Sequence, residues 1–218
     1  MPVHLKRDID NLKKKILFLS ARVEESLRNA VNALINRDAS MAIEVIEGDV
    51  EIDKLEVEIE EDCLKILALY QPVAIDLRFI VAVLKINNDL ERVGDLAVNI
   101  AERAENLTKR KKIKYPSELR QMLDKSQNML RLSLDALVNL DANEALKVCS
   151  LDNEVDELNR VMYDKIKVEL KNNPDDPAPY LMMLIISRIL ERIGDQATNI
   201  AEDVIYMVEG NIVRHMDL

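Results

Sequence analysis

The chain has 218 residues, of which 48% are hydrophobic, 32% charged and only 3% aromatic, with four Gly, six Pro and no Trp. Forty acidic against thirty basic residues leave a net charge of −10, which repels a nucleic-acid backbone and an anionic lipid surface. Such a profile points to long helices rather than a sandwich, a barrel or a disordered chain, with room for one or two domains.

Helical periodicity runs almost from end to end, and the breaks define six helices. The first spans about Leu5 to Arg37. Asp38 then caps a second, which reaches about Tyr70 before Gln71-Pro72 stops it. A third runs from Ala74 to Leu107. The segment Thr108 to Tyr115 is a linker carrying Lys109, Arg110, Lys111, Lys112 and Lys114. These cations complement the dipole at the end of the third helix, or they dock an acidic partner. Pro116-Ser117 opens a fourth helix ending near Leu140, and Asp141 with Glu144 has the spacing of a capping box. The fifth reaches about Lys171. The loop Asn172 to Pro179 leads into a sixth, ending near Gly210.

The two halves are copies. Asp38, Asp49, Asp53 and Ala33 recur 103 positions later as Asp141, Asp152, Asp156 and Ala136. The segment ERVGDLAVNIAE (Glu91 to Glu102) recurs 100 positions later as ERIGDQATNIAE (Glu191 to Glu202). Long helices joined by short loops pack as antiparallel neighbours, so the expected fold is all-α. Two tandem three-helix bundles are expected, over residues 1–108 and 109–218. Symmetric self-pairing, as a homodimer, is the expected assembly.

Several chemistries lack their parts. Histidine occurs only as His4 and His215, near the two ends, which removes a Ser-His-Asp triad and an internal Glu-x-x-His di-iron site. Neither G-x-x-x-x-G-K-[ST] nor G-x-G-x-x-G is present, so no glycine loop cradles a phosphate. Cys63 and Cys149 fall opposite isoleucines in the other copy and read as reduced, packed side chains. Met182 and Met183 read as core filler. The apolar runs Phe79–Leu84 and Leu181–Ile186 fall far short of the roughly 20 residues that cross a bilayer. The N-terminus has no apolar signal region, so a cytoplasmic protein without membrane insertion is expected, and the missing histidine and glycine-loop motifs make it a non-enzymatic one.

What remains is acidic. Glu91, Asp95 and Asn99 are spaced by four and occupy an arc of about 80° on one helix face, and Glu191, Asp195 and Asn199 repeat them. The apolar residues of the third helix lie opposite, so the stripe is expected to face outward. Asp49 with Asp53, and Asp152 with Asp156, form similar pairs, placed opposite Gly48, Ile52, Leu55 and Ile59. Counting from the turns puts Asp53 level with Glu91, Asp49 near Asp95 and Asp152 near Asp195. Four carboxylates per bundle repel one another unless a cation neutralises them, and oxygen-only donors suit Mg²⁺, Mn²⁺, Ca²⁺ or iron, with zinc not excluded. A solvated charged face is the alternative reading. Gly94 and Gly194 fit a close approach of helices.

The segments YQPVAIDLRFIVAVLKINNDLERVGDLAVNIAE (Tyr70 to Glu102) and ILERIGDQATNIAE (Ile189 to Glu202) resemble the PhoU family of accessory regulators of phosphate-specific transport. The resemblance implies paired three-helix bundles whose acidic motifs bind metal clusters, in some members iron. Here those motifs fall on Asp49/Asp53, Glu91/Asp95, Asp152/Asp156 and Glu191/Asp195. It further implies a cytoplasmic negative regulator linking the phosphate ABC transporter, through its ATPase subunit, to a sensor histidine kinase. A carboxylate-bridged metalloenzyme, phosphatase or oxidase-like, is the competing class. The second copy departs at PDDPAPYLMMLIISR, which replaces QPVAIDLRFIVAVLK and loses Asp76-Leu77-Arg78.

Overall fold

The computed structural model describes residues 3–211, and His215 lies outside them. Six helices follow one another: α1 (Val3–Asn36), α2 (Ala39–Tyr70), α3 (Ala74–Thr108), α4 (Ser117–Asn139), α5 (Ala142–Asn172) and α6 (Ala178–Glu209). Their ends have local causes. The Asp38 carboxylate accepts from the Ser40 and Met41 amides, and Asp141 accepts from those of Asn143 and Glu144, so each closes the open first turn of its helix. The capping box expected at Asp141 and Glu144 forms only by half, because the Asp141 amide donates back to the Ala136 carbonyl instead. Gly210, at φ +78°, ends α6 through its amide on the Tyr206 carbonyl. Helix α6 starts earlier than the loop suggested. Pro179 lies in its first turn, where a missing amide hydrogen costs nothing.

Helices α1, α2 and α3 pack on one another, as do α4, α5 and α6. The two sets join along α3 and α6, with a lesser contact between α1 and α4. Lys85 on α3 meets Asp203 on α6 at 3.0 Å, and Gly210 lies beside Arg78, so α3 and α6 run antiparallel. Small side chains are buried on both helices: Ala97, Ala101 and Ala104 on α3, and Ala197 and Ala201 on α6, are all at most 1% exposed. The repeat extends to individual contacts. Arg22 pairs with Glu51 at 2.6 Å, and their equivalents Lys125 and Glu154 pair likewise. Cys63 is buried and Cys149 half-buried, both as free thiols, and burial raises each well above the usual thiol range. Among the described residues no helix is long and apolar enough to cross a membrane.

Candidate functional site

In the first bundle, α2 and α3 bring Asp49, Asp53, Glu91 and Asp95 to one seam. A Cβ built on Gly94 would stand 3.3 Å from Asp49 Oδ1 and 3.2 Å from Ile52 Cγ2, so the glycine lets α2 come close enough to sink that carboxylate. Asp49 and Ile52 thus both meet α3. The expectation that Asp49 lies opposite Ile52 is corrected: it occupies the edge of the buried face. Its Oδ1 is buried without a hydrogen-bond partner. Burial first, then the charges of Asp53 and Asp95, push the Asp49 carboxyl up to about 6. Glu91 is raised by burial and by Asp95, Glu56 and Asp53. The level counting therefore placed Asp49 by Asp95 and Asp53 by Glu91 correctly.

The second bundle repeats the arrangement on α5 and α6. A Cβ on Gly194 would stand 3.3 Å from Asp152 Oδ1. Burial, then Asp195, Asp156 and Glu191, push Asp152 up to about 6. Burial and the neighbouring acids also raise Glu191 and Asp195, while Arg192 pulls both down. Asp53, Asp95 and Asp195 are exposed, whereas Asp49, Glu91, Asp152, Asp156 and Glu191 are half-buried, so the stripe opens to solvent with its floor recessed.

Two residues join the patches that the motif spacing did not single out. Glu56 completes an i, i+4, i+7 row with Asp49 and Asp53, and burial with the charges of Glu60 and Asp53 raises it. Its equivalent is Asn159, so the repeat gave no signal for it. Glu202 lies close enough to the half-buried Cys149 to raise its thiol further. Asn99, by contrast, is turned back on its own helix: its amide donates to the Asp95 carbonyl at 2.7 Å, and it accepts from Arg103.

Carboxylates crowd both seams, with the Cys149 thiol near Asp152 in the second, and the orphaned Asp49 Oδ1 together with the crowded carboxyls is the electrostatic setting that a hard cation relieves. Among the described residues no three of these side chains already surround one point as a finished ligand set. Taking up a cation would require the exposed Asp53, Asp95 or Asp195, or the half-buried Asp156, to swing inward around the recessed partner. The residues fit an oxygen-seeking ion in their chemistry.

A family model described as the PhoU domain matches residues 16–104 and again 119–204, one copy on each bundle. The chain belongs to the PhoU family. A phosphate-specific transport system accessory protein PhoU homolog from Pseudomonas putida is 38% identical over 97% of this chain and 83% of its own length. The PhoU homolog 1 of Thermotoga maritima is 34% identical over 95% of this chain and 90% of its own length. The crystal structure of PhoU from Pseudomonas aeruginosa superposes with a TM-score of 0.92 at 36% identity, covering 94% of this chain and 99% of that one. That of the phosphate transport system regulatory protein PhoU from Streptococcus pneumoniae gives 0.87 at 28% identity, over 98% and 100%. The PhoU repeat thus coincides with the two acid-lined seams.

Proposed function

We propose that the chain is a negative regulator of phosphate uptake and of the phosphate-starvation response. It acts in the cytoplasm by metal-dependent binding to the phosphate ABC transporter, through its ATPase subunit, and to a sensor histidine kinase. The observation that carries this reading is the duplicated acidic seam, present once in each PhoU repeat with a recessed carboxylate pushed up to about 6 on α2 and again on α5. The relatives' description as phosphate-specific transport accessory proteins supports the pathway.

Asp49, Asp53, Glu91 and Asp95 would hold one ion or cluster, and Asp152, Asp156, Glu191 and Asp195 another. Iron or another oxygen-seeking cation bound there would supply positive charge that cross-links α2 to α3 and α5 to α6. The chain's own residues then present a fixed helical surface, and differential affinity for two states of a partner is enough to regulate it. No reactive group is needed. The chain is expected to pair as a homodimer, which light scattering would show as a mass near twice 24.9 kDa.

Calorimetric titration of the wild type and of the Asp95→Ala/Asp195→Ala variant tests the metal site. Loss of binding in the variant supports it, and unchanged stoichiometry sinks it. Pull-downs with the transporter ATPase and the kinase test the partners, and failure of both in the presence of metal overturns the regulatory reading. Turnover of a phosphate ester by metal-loaded protein would favour the metalloenzyme class instead.

A further inference from the structure

The two repeats are closed differently at one end. In the first, α1 is 34 residues long, and its N-terminal turns cover the end of the α2–α3 hairpin. Leu5, Ile9 and Leu12 are buried there, Asp8 accepts from the Tyr70 hydroxyl at 2.9 Å, and Lys15 pairs with Asp62 at 2.7 Å. In the second, α4 is only 23 residues long. Glu118, in its first turn, stands where α1 has Lys15, and it pairs at 2.6 Å with Lys165, which stands where α2 has Asp62. The covering helix therefore meets its neighbour at the same level with the charges exchanged. It then has no turns equivalent to those before Lys14.

The space those turns would fill is a groove of about 1050 Å³ between the end of α5, the start of α6 and the linker. Val161, Val168, Tyr180 and Met183 line it, and Val168 is 56% exposed. Val161 and Val168 stand where the closed repeat has Glu58 and Lys65. An apolar floor has replaced charge where no helical turn among the described residues covers it.

We infer that this groove is a docking site for an acidic amphipathic helix of a partner protein. The first repeat supplies the shape, since an equivalent surface there is filled by helical turns carrying Leu or Ile at helical spacing. Charge selects the occupant. In the closed repeat a Lys-rich helix, with Lys13, Lys14 and Lys15, lies on a run of acids from Glu56 to Asp62. In the open repeat Lys114 and Arg120 line the groove, and exposed Lys111 and Lys112 flank it on the linker. Among the described residues these four make no ion pair, whereas Lys165 is held by Glu118. Asp164 and Glu169 also reach the groove, with Glu169 already engaged by the Asn173 amide at 3.2 Å. A second copy of this chain offering its own basic α1 is disfavoured by the same charges. The docking helix gives the regulatory reading a contact surface, but its test involves neither metal nor transporter, so either can fail without the other.

The full chain is titrated into a fluorescein-labelled, side-chain-stapled peptide of about 14 residues, with Leu or Ile at the spacing of Leu5, Ile9, Leu12 and Ile16 and Glu at the solvent-facing positions. A counterpart with Lys for Glu is the control. Anisotropy should show binding of the acidic peptide at least about tenfold tighter than the basic one. Val168→Asp and Arg120→Glu should each weaken it at least about tenfold with unchanged melting temperature, and Val57→Asp on the outer face of α2 should leave it unaltered. Absence of binding, equal binding of the two peptides, or indifference to Val168→Asp overturns the inference. So does a fall in the protein's solution mass on Val168→Asp, which would assign the groove to a second copy.

Discussion

Asp49 and Gly94 are matched across the α2–α3 seam, the glycine leaving only 3.3 Å between Asp49 Oδ1 and the place a Cβ would take. Ile52 is tighter still at 3.2 Å, so Gly94→Ala crowds two side chains of α2 at once. Replacing glycine by alanine in a helix gains about 1 kcal/mol, and overpacking costs about 1–3 kcal/mol, so Gly94→Ala should destabilise by about 1 kcal/mol. At Gly194 the remaining near contacts are the flexible Met129 Cε and Sδ at 3.6 and 3.7 Å, so Gly194→Ala should be close to neutral. Gly48 has nothing within 4 Å, and Gly48→Ala should stabilise by about 1 kcal/mol. Urea unfolding of the three variants checks the order.

The recessed acids set a pH dependence. Asp49 rises in the folded chain from 3.8 to about 6 through burial and the facing charges of Asp53 and Asp95. The folded state then binds more protons than the unfolded one between those values, so stability from this source falls as pH rises through the window and stays low above it. Asp49→Asn removes the charge while keeping the shape. In chelated protein it should stabilise at pH 7.5 by roughly 1 kcal/mol, after allowance for solvent screening at a half-exposed site, and have little effect at pH 4. Thermal melts at the two pH values provide the comparison, and an equal effect at both would remove the carboxylate as the cause.

Cation binding should reverse that penalty. A ligand that binds only the folded state at about 100 times its dissociation constant adds about 2.7 kcal/mol. For a chain of this size the melting temperature should rise by roughly 5–10 °C on adding Mn²⁺ or ferrous iron. Asp49→Asn/Asp152→Asn should abolish most of the rise, while Glu58→Gln, outside the seam, should keep it.

At the α3–α6 junction lies an ion pair of unequal exposure, with Asp203 2% exposed and Lys85 40%. Lys85 Nζ also stands 5.3 Å from the Tyr206 ring centre. Removing one partner of a buried pair leaves a desolvated charge, and Asp203 retains further interactions that soften the loss. Lys85→Met should therefore cost about 2 kcal/mol, measured by chemical denaturation. Arg131→Ala, which removes a surface pair with Asp135, should cost at most about 0.5 kcal/mol.

Much of the molecule was legible in its residues because a helix has one period and a repeat states it twice. The six helices, the Asp38 and Asp141 caps, and the levels of Asp49 and Asp95 follow from spacing alone, since antiparallel helices rise by equal increments. Depth did not follow. Whether Asp49 faces water or α3 depends on how closely two helices approach, and Gly94 decides that from another element. Glu56 stayed hidden because its row is broken in the second copy at Asn159. The open groove stayed hidden as well, because the linker reads as a run of lysines until the start of α4 shows which surface of α5 and α6 it fails to cover. Periodicity is a property of one helix and is carried by its residues. Burial and clefts belong to pairs of helices, and only their packing sets them.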